Sequence, residues 1–246
     1  MKKSNPLIKA NIENLSALWR TVGTTFDSYY RTADFEFVEI SDSEWPNRLW
    51  LQQPITQDTV DLIKEKLVAT PSNIILPIWE IYDENEDAFF AINGFKVVFE
   101  QVGMSLKLSE PFDINGGVKV QVVTNEEEAN IWSTLFIKSF GYVISAETLI
   151  KTFQEIDYYI AYHNGIAVGT ALLYRTNNIM GIHAVGIPPE MRRRGYADQI
   201  MRSVINIAIE NESEYICLQA SDMGKSLYLN LGFKEEFLIK NYALQS

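Results

Sequence analysis

The sequence predicts a mixed α/β protein, an α+β mixed sheet built in two parts, and three observations carry that reading. Apolar residues recur at helical spacing in some segments and alternate in others, along all 246 residues. The stretch Ser109 to Gly117, S-E-P-F-D-I-N-G-G, gathers Pro, Asn and paired Gly between two apolar strand candidates and reads as a linker. Beyond it the elements run strand, two helices, three strands, helix, strand, helix, strand. The expected division is a smaller α/β domain over residues 1–110 and a second domain over 117–246.

Composition narrows the partners. Hydrophobic content of 47% is ample for a packed core at this length. A formal net charge of -11 and a pI near 4.7 disfavour unspecific attraction to nucleic acid or an anionic membrane, and would welcome a cationic amine. A single cysteine, Cys217, excludes an intramolecular disulfide and a thiolate metal site, and fits a reducing compartment. Met1 to Pro6 leads into broken hydrophobicity with Glu13 and Asn14, and no run approaches a membrane span. The expectation is a cytoplasmic protein with no metal, nucleic-acid or membrane partner.

In the first half, Ile8, Ile12, Leu15, Trp19 and Val22 fall on one helical face, predicting a helix over residues 6–22 with Pro6 in its first turn. Phe35 to Ile40 and Arg48 to Leu51 read as strands on either side of a turn at Trp45-Pro46-Asn47. Thr56 opens a helix with Val60, Ile63 and Leu67 on one face, which Pro71 ends. Ile74 to Ile81 is a strand candidate, and Asp83 to Asp87 suits a loop or a helix start. Four of the five tryptophans, Trp19, Trp45, Trp50 and Trp79, lie here, as core residues or as the wall of a pocket. Gly94-Phe95-Lys96 echoes Gly232-Phe233-Lys234 at an offset of 138, and each follows a helix, a strand and a short helix.

In the second half, Val118, Val120 and Val122 alternate as a strand, and Thr124 is the expected N-cap of a helix led by Glu126, Glu127 and Glu128. Ser145 caps the next helix. Tyr158 to Tyr162 and Ile166 to Tyr174 form a hairpin across His163-Asn164-Gly165, and Ile179 to Ile187 is a third strand. A helix runs from Ala197 to about Glu212, then a strand from Tyr215 to Ala220, a short helix from Lys225 to Leu231, and one or two closing strands from Phe233 to Leu244.

Chemistry concentrates between the third strand and the long helix, where Arg192-Arg193-Arg194-Gly195-Tyr196-Ala197 stands. Three cations before a glycine, at a helix start whose first amides lack partners, make a receptor for a diphosphate. Gly195 permits close backbone approach, and Ala197 keeps the first turn open.

Ile187, Pro189, Arg192, Gly195 and Ala197, followed by a helix, resemble the acyl-CoA pyrophosphate loop of the GNAT N-acetyltransferase superfamily. Gly224-Lys225-Ser226-Leu227-Tyr228-Leu229-Asn230-Leu231-Gly232-Phe233 resembles its late helix and turn, and the element order of 117–246 is similar to that of the whole fold. The first half is similar to the C-terminal portion of such a domain without its phosphate loop.

The resemblance implies transfer of an acetyl group from acetyl-CoA to a primary amine of a small molecule or peptide. It implies a pantetheine arm beside the backbone of Val185 and Ile187, a diphosphate on Arg192, Arg193, Arg194, Gly195, Tyr196 and Ala197, and Tyr228 as general acid toward the thiolate. His183, an acidic residue or a water chain would act as base. Ser221 stands where the family commonly has Asn, seven residues before the tyrosine. The rival reading is a non-catalytic acyl-CoA-binding regulatory module.

Overall fold

The computed structural model describes residues 6–81 and 86–245. The first helix, α1 (Pro6–Thr25), buries Leu15, Leu18, Trp19 and Val22 as its periodicity requires, and buries Asn11 and Asn14 with them. Strands β1 (Tyr29–Arg31), β2 (Phe35–Val38) and β3 (Arg48–Leu51) form a small antiparallel sheet. Helix α2 (Gln57–Val68) starts at Thr56, whose side chain accepts from the Thr59 amide. Strand β4 (Leu76–Glu80) and helix α3 (Asp87–Ile92) follow. Of the acidic stretch, residues 83–85 lie outside the described residues, and Asp87 opens α3. A 13-residue strand, β5 (Phe95–Lys107), ends this half.

The second half contains β6 (Val118–Val122), α4 (Glu126–Phe140), α5 (Ala146–Thr152), β7 (Asp157–His163), β8 (Ile166–Thr176), β9 (Ile179–Gly186), α6 (Tyr196–Glu210), β10 (Tyr215–Ala220), α7 (Asp222–Asn230) and β11 (Lys234–Leu244). Asn164 and Gly165 both take positive φ, 51° and 77°, the mirror-image turn whose twist matches a hairpin. One expected cap is corrected: Asn125, not Thr124, accepts from the Glu128 amide, while Glu128 reaches back to bond the Thr124 amide and hydroxyl. The late helix starts three residues earlier than expected, at Asp222, and the closing segment is a single strand.

The two halves share one eight-stranded sheet of order β4-β11-β5-β10-β9-β8-β7-β6. The expected boundary at 110–117 falls in the loop between β5 and β6, yet β5 lies between β10 and β11 of the second half, and β11 lies between β4 and β5 of the first. The offset of 138 seen in sequence acts here as a two-fold operation: it carries Gln101 onto its own register partner Ile239, and turns the pair Glu100–Lys240 into the pair Val102–Leu238. The elements α2-β4-α3-β5 recur as α6-β10-α7-β11.

Helices cover both faces of this sheet. On one side α6 packs Ile200, Met201, Val204 and Ile205 onto Val168, Leu173 and Ile182. On the other, α1 and α4 bring Leu18, Trp132 and Phe136 against Ile160 and Leu172, and the Trp132 indole donates to the Ala171 carbonyl at 3.2 Å. A third cluster joins α2 and α3 to β4, β5 and Tyr242 of β11.

Candidate active site

Strand β9 creates the opening. It runs parallel to β10 and pairs with it at Ile179–Tyr215, Met180–Ile216 and Gly181–Cys217, where pairing stops although both strands continue. On its other edge, Thr170 faces Gly186 and Leu172 faces His183, so Ala171 alone spans Ala184 and Val185. This is a bulge: Ala184 has φ 54°, and its carbonyl accepts from the Thr170 hydroxyl at 2.8 Å. A bulge increases twist and turns the end of β9 away from β10, leaving unpaired backbone in a wedge between them.

At the mouth of that wedge the chain turns through a 3-10 segment (Pro189–Met191) into α6. Arg193 and Gly195 take left-handed φ of 62° and 76°. Gly195 is the N-cap of α6 and offers no capping side chain. The backbone amides of residues 193–198 make no backbone hydrogen bond among the described residues, so they form a row of open donors at the positive end of a 15-residue helix. Such a concave row receives an anion. Arg193 and Arg194 are exposed beside it. Arg192 turns inward instead, donating from Nε to the Ile187 carbonyl at 3.0 Å and from Nη2 to the Ser139 carbonyl at 3.1 Å, which ties the loop to the end of α4. Tyr196 is buried, its ring 5.2 Å from that of His163, and Ala197 is half-buried.

The wedge opens into a cavity of about 950 Å³. Val185 and Tyr228 line it, and so do His183 and Ser221. Tyr228 projects from α7 over Gly224, one turn back, where any side chain would press on the ring. Its hydroxyl makes no hydrogen bond among the described residues, and burial pushes its pKa up to about 12. It is therefore a protonated donor at neutral pH, and its free bonding capacity faces the cavity.

His183 stands differently. Asn14 donates its Nδ2 to the Tyr174 carbonyl and the Thr176 hydroxyl, so its Oδ1 accepts, and His183 Nε2 must donate to it at 3.3 Å. Burial lowers the imidazole pKa to about 4. The ring is neutral with its proton on Nε2, and so weakly basic that it makes a poor partner for an ammonium. Around it, Gln219 donates to Asn11 at 2.7 Å, and Asn11 to the Met104 carbonyl at 3.0 Å. Asn241 donates to Gln101, which donates to the Gln219 carbonyl. Gln101, Gln219 and Asn241 floor the cavity, and Asn11 and Asn14 bond Gln219 and His183 of its lining. They come from α1, β5, β10 and β11.

The first half builds most of the remaining wall, and the segment after α4 completes it. Trp19 and Trp79 stack at 6.0 Å, with Trp45, Phe99 and Tyr142 beside them. Sequence had placed three of these tryptophans on either a core or a pocket wall, and here they serve as both. Asn11, Asn14, Gln101 and Gln219 were missed as site residues. The available signal was a pair of asparagines three apart on the apolar face of α1, a position where a polar group needs a buried partner. Among the described residues no group of three His, Cys, Asp or Glu could hold a metal, and no helix is long and apolar enough to cross a membrane.

Comparison with known proteins follows the same lines. Residues 121–237 match the model of the acetyltransferase (GNAT) domain family. A search of curated protein sequences found no match. Among solved structures, a GCN5-related N-acetyltransferase from Kribbella flavida superposes with a TM-score of 0.71 over 96% of each chain, at 15% identity. A GCN5-related N-acetyltransferase-like protein from Streptococcus suis superposes at 0.56 with 14% identity, covering 96% of this chain and 100% of that one. A tandem GNAT protein from the clavulanic acid biosynthesis pathway superposes at 0.55 with 10% identity over 95% of each chain. At these identities the structures speak to the fold, which they share with this chain almost end to end. By the match over residues 121–237 the second half of the chain carries a GNAT acetyltransferase domain, and the strand order with the bulged and splayed β9 is the fold the chain shares with these structures.

Proposed function

We propose that the protein is an acetyl-CoA-dependent N-acetyltransferase that acylates a primary amine by direct attack, with Tyr228 as general acid. The observation that carries this reading is the unpaired Tyr228 hydroxyl, facing the cavity on the line where β9 and β10 part. A module that only bound an acyl-CoA would have no use for a free acid there.

The chain fits the co-substrate at both ends. The open amides of residues 193–198, with Arg193 and Arg194 beside them, suit a diphosphate. Arg192 is a positioning residue, since its guanidinium holds the loop. The unpaired end of β9 near Val185 suits a pantetheine arm lying as an added strand, while the Ile187 carbonyl already accepts from Arg192. Acetyl-CoA supplies an activated acyl group. The residues then have three tasks: to admit a neutral amine, to place a backbone donor of β9 where negative charge develops on the carbonyl oxygen, and to donate from Tyr228 to the departing sulfur. The raised pKa of Tyr228 suits the last, because it keeps the donor in acid form. The first half acts as a GNAT-like half that has lost its phosphate loop and supplies the acceptor wall. The lone, fully buried Cys217 supports a cytoplasmic setting.

The test is free-thiol release from acetyl-CoA with a panel of amines, for the native chain and Tyr228→Phe, with acetyl-CoA binding measured beside it. We expect amine-dependent release that falls about 10²-fold or more in the Phe variant while binding persists. Binding without turnover on any amine would replace the transferase with the regulatory module.

A further inference from the structure

The cavity wall contains a charge that no carboxylate among the described residues balances. Among the described residues lining the cavity, Arg48, on β3, is the only Lys or Arg. Its guanidinium makes a single hydrogen bond among the described residues, from Nη1 to the carbonyl of its neighbour Asn47 at 2.9 Å, out of the five N–H donors it carries. No carboxylate among the described residues lies within ion-pair distance of it. Glu44, which also lines the cavity, is held elsewhere by the Val143 amide at 2.7 Å, and Asp42 and Glu100 are exposed. The guanidinium sits instead 5.9 Å from the Trp19 ring centre, next to Tyr142. Arg48 is half-buried, its partial withdrawal from water draws its pKa down to about 10, and it remains charged at neutral pH. A half-buried cation on a cavity wall, with most of its N–H donors without a partner among the described residues, is a receptor for a ligand carboxylate.

Resting on the acyltransferase reading, we infer that the acceptor is an amine that also bears a carboxylate, an amino-acid-type substrate whose carboxylate pairs with Arg48 and whose body lies along the aromatic wall. The planar fork of a guanidinium matches a carboxylate with two parallel hydrogen bonds. The aromatic wall does not serve a foreign cation, because the cation beside Trp19 is the chain's own. The acidic surface, with Asp42, Glu44 and Glu100 on the cavity wall, suits the amino group of such a substrate, while Arg48 takes its carboxylate.

The experiment uses the full-length protein, acetyl-CoA, and matched probes: the standard L-α-amino acids, each beside the amine left when its carboxyl group is removed. Turnover is followed by thiol release, and binding of each probe by calorimetry with and without turnover. The native chain should favour the carboxylated member of its best pair on the order of a hundredfold in kcat/KM. Arg48→Gln should collapse that ratio toward one, and Arg48→Lys should restore part of it, with circular dichroism confirming that both variants fold. Turnover that favours the decarboxylated amines, or a ratio unmoved by Arg48→Gln, overturns the inference while leaving the transferase standing. Carboxylate binding that depends on Arg48 without any acetyl transfer does the reverse. If no carboxylated probe binds and none is acetylated, the inference is wrong.

Discussion

Within single residues, the local motif was legible and the assembled site was not. The turn of Arg192 to Ala197 into α6 and the place of Tyr228 on the late helix could be read because each is made by a short stretch of chain. Arg48, Asn14 and Gln219 could not, since their roles exist only where α1, β3 and β10 meet. His183 shows the difference. As a strand histidine with an ordinary pKa near 6.5 it was a candidate base, and the structure encloses it with its Nε2 proton held by Asn14. Its folded pKa of about 4 lies below the unfolded value, so between about pH 6.5 and pH 4 the unfolded chain binds a proton that the folded chain refuses. Stability is therefore full above pH 6.5 and falls as pH drops through that window, by up to about 3 kcal/mol if this group acts alone. Denaturant midpoints measured across that range should show the fall, and His183→Gln, which keeps a donor but cannot titrate, should flatten it. A slope that survives the substitution would assign the effect to another group.

Whole elements were more visible, because burial on one side imposes a period. The hairpin at Asn164-Gly165, the caps at Thr56 and Ser145 and the stripe of α6 all follow from local chemistry. Strand β5 was hardest to see: it alternates poorly, its Val97, Val98 and Phe99 are all exposed, and two register shifts interrupt its ladder with β11. The start of α6 carries a prediction of its own. Gly195 holds φ 76° at the N-cap, a conformation that costs a β-branched residue at least roughly 1–2 kcal/mol. A side chain there would also crowd the row of open amides. Gly195→Val should lower the melting temperature by a few degrees and weaken acetyl-CoA binding tenfold or more, whereas Arg193→Ala, removing one exposed cation, should cost only a few-fold in affinity and show it mainly at low salt. Equal effects from the two would mean that charge, and not amide geometry, dominates the cradle.

Across the whole molecule, the repeat at an offset of 138 is the sequence trace of an exchange. Each half places its last strand in the other: β5 pairs with β10 over six register positions, and β11 pairs with β4 over five. The cores follow the strands. Met104 of β5 is fully buried among second-half residues, and a side chain at Gly103 would overlap the Phe237 ring. Tyr242 of β11 stacks on Phe90 at 4.4 Å and donates to Asp87, while Lys240 pairs with Glu80 and Asp87 at 2.8 and 2.7 Å. Residues 110–117 read as a loop in sequence and lie between β5 and β6, but strand pairing across that loop could not be seen, since pairing partners more than 100 residues apart leave no local period. A fragment of residues 117–246 would expose the edge of β10 and both edges of β11, with the holes left by Met104 and Phe90 beside them. We expect that fragment to aggregate when expressed alone and to become soluble when co-expressed with residues 1–115, as a complex that unfolds in one cooperative transition like the intact chain. The measurement is size-exclusion chromatography of each fragment and of the pair. A monodisperse, folded 117–246 would show that β11 can close on β10 unaided, and that the first half is an addition to a domain already whole; a soluble pair from insoluble parts would make the acceptor wall and the acyl site products of one indivisible sheet.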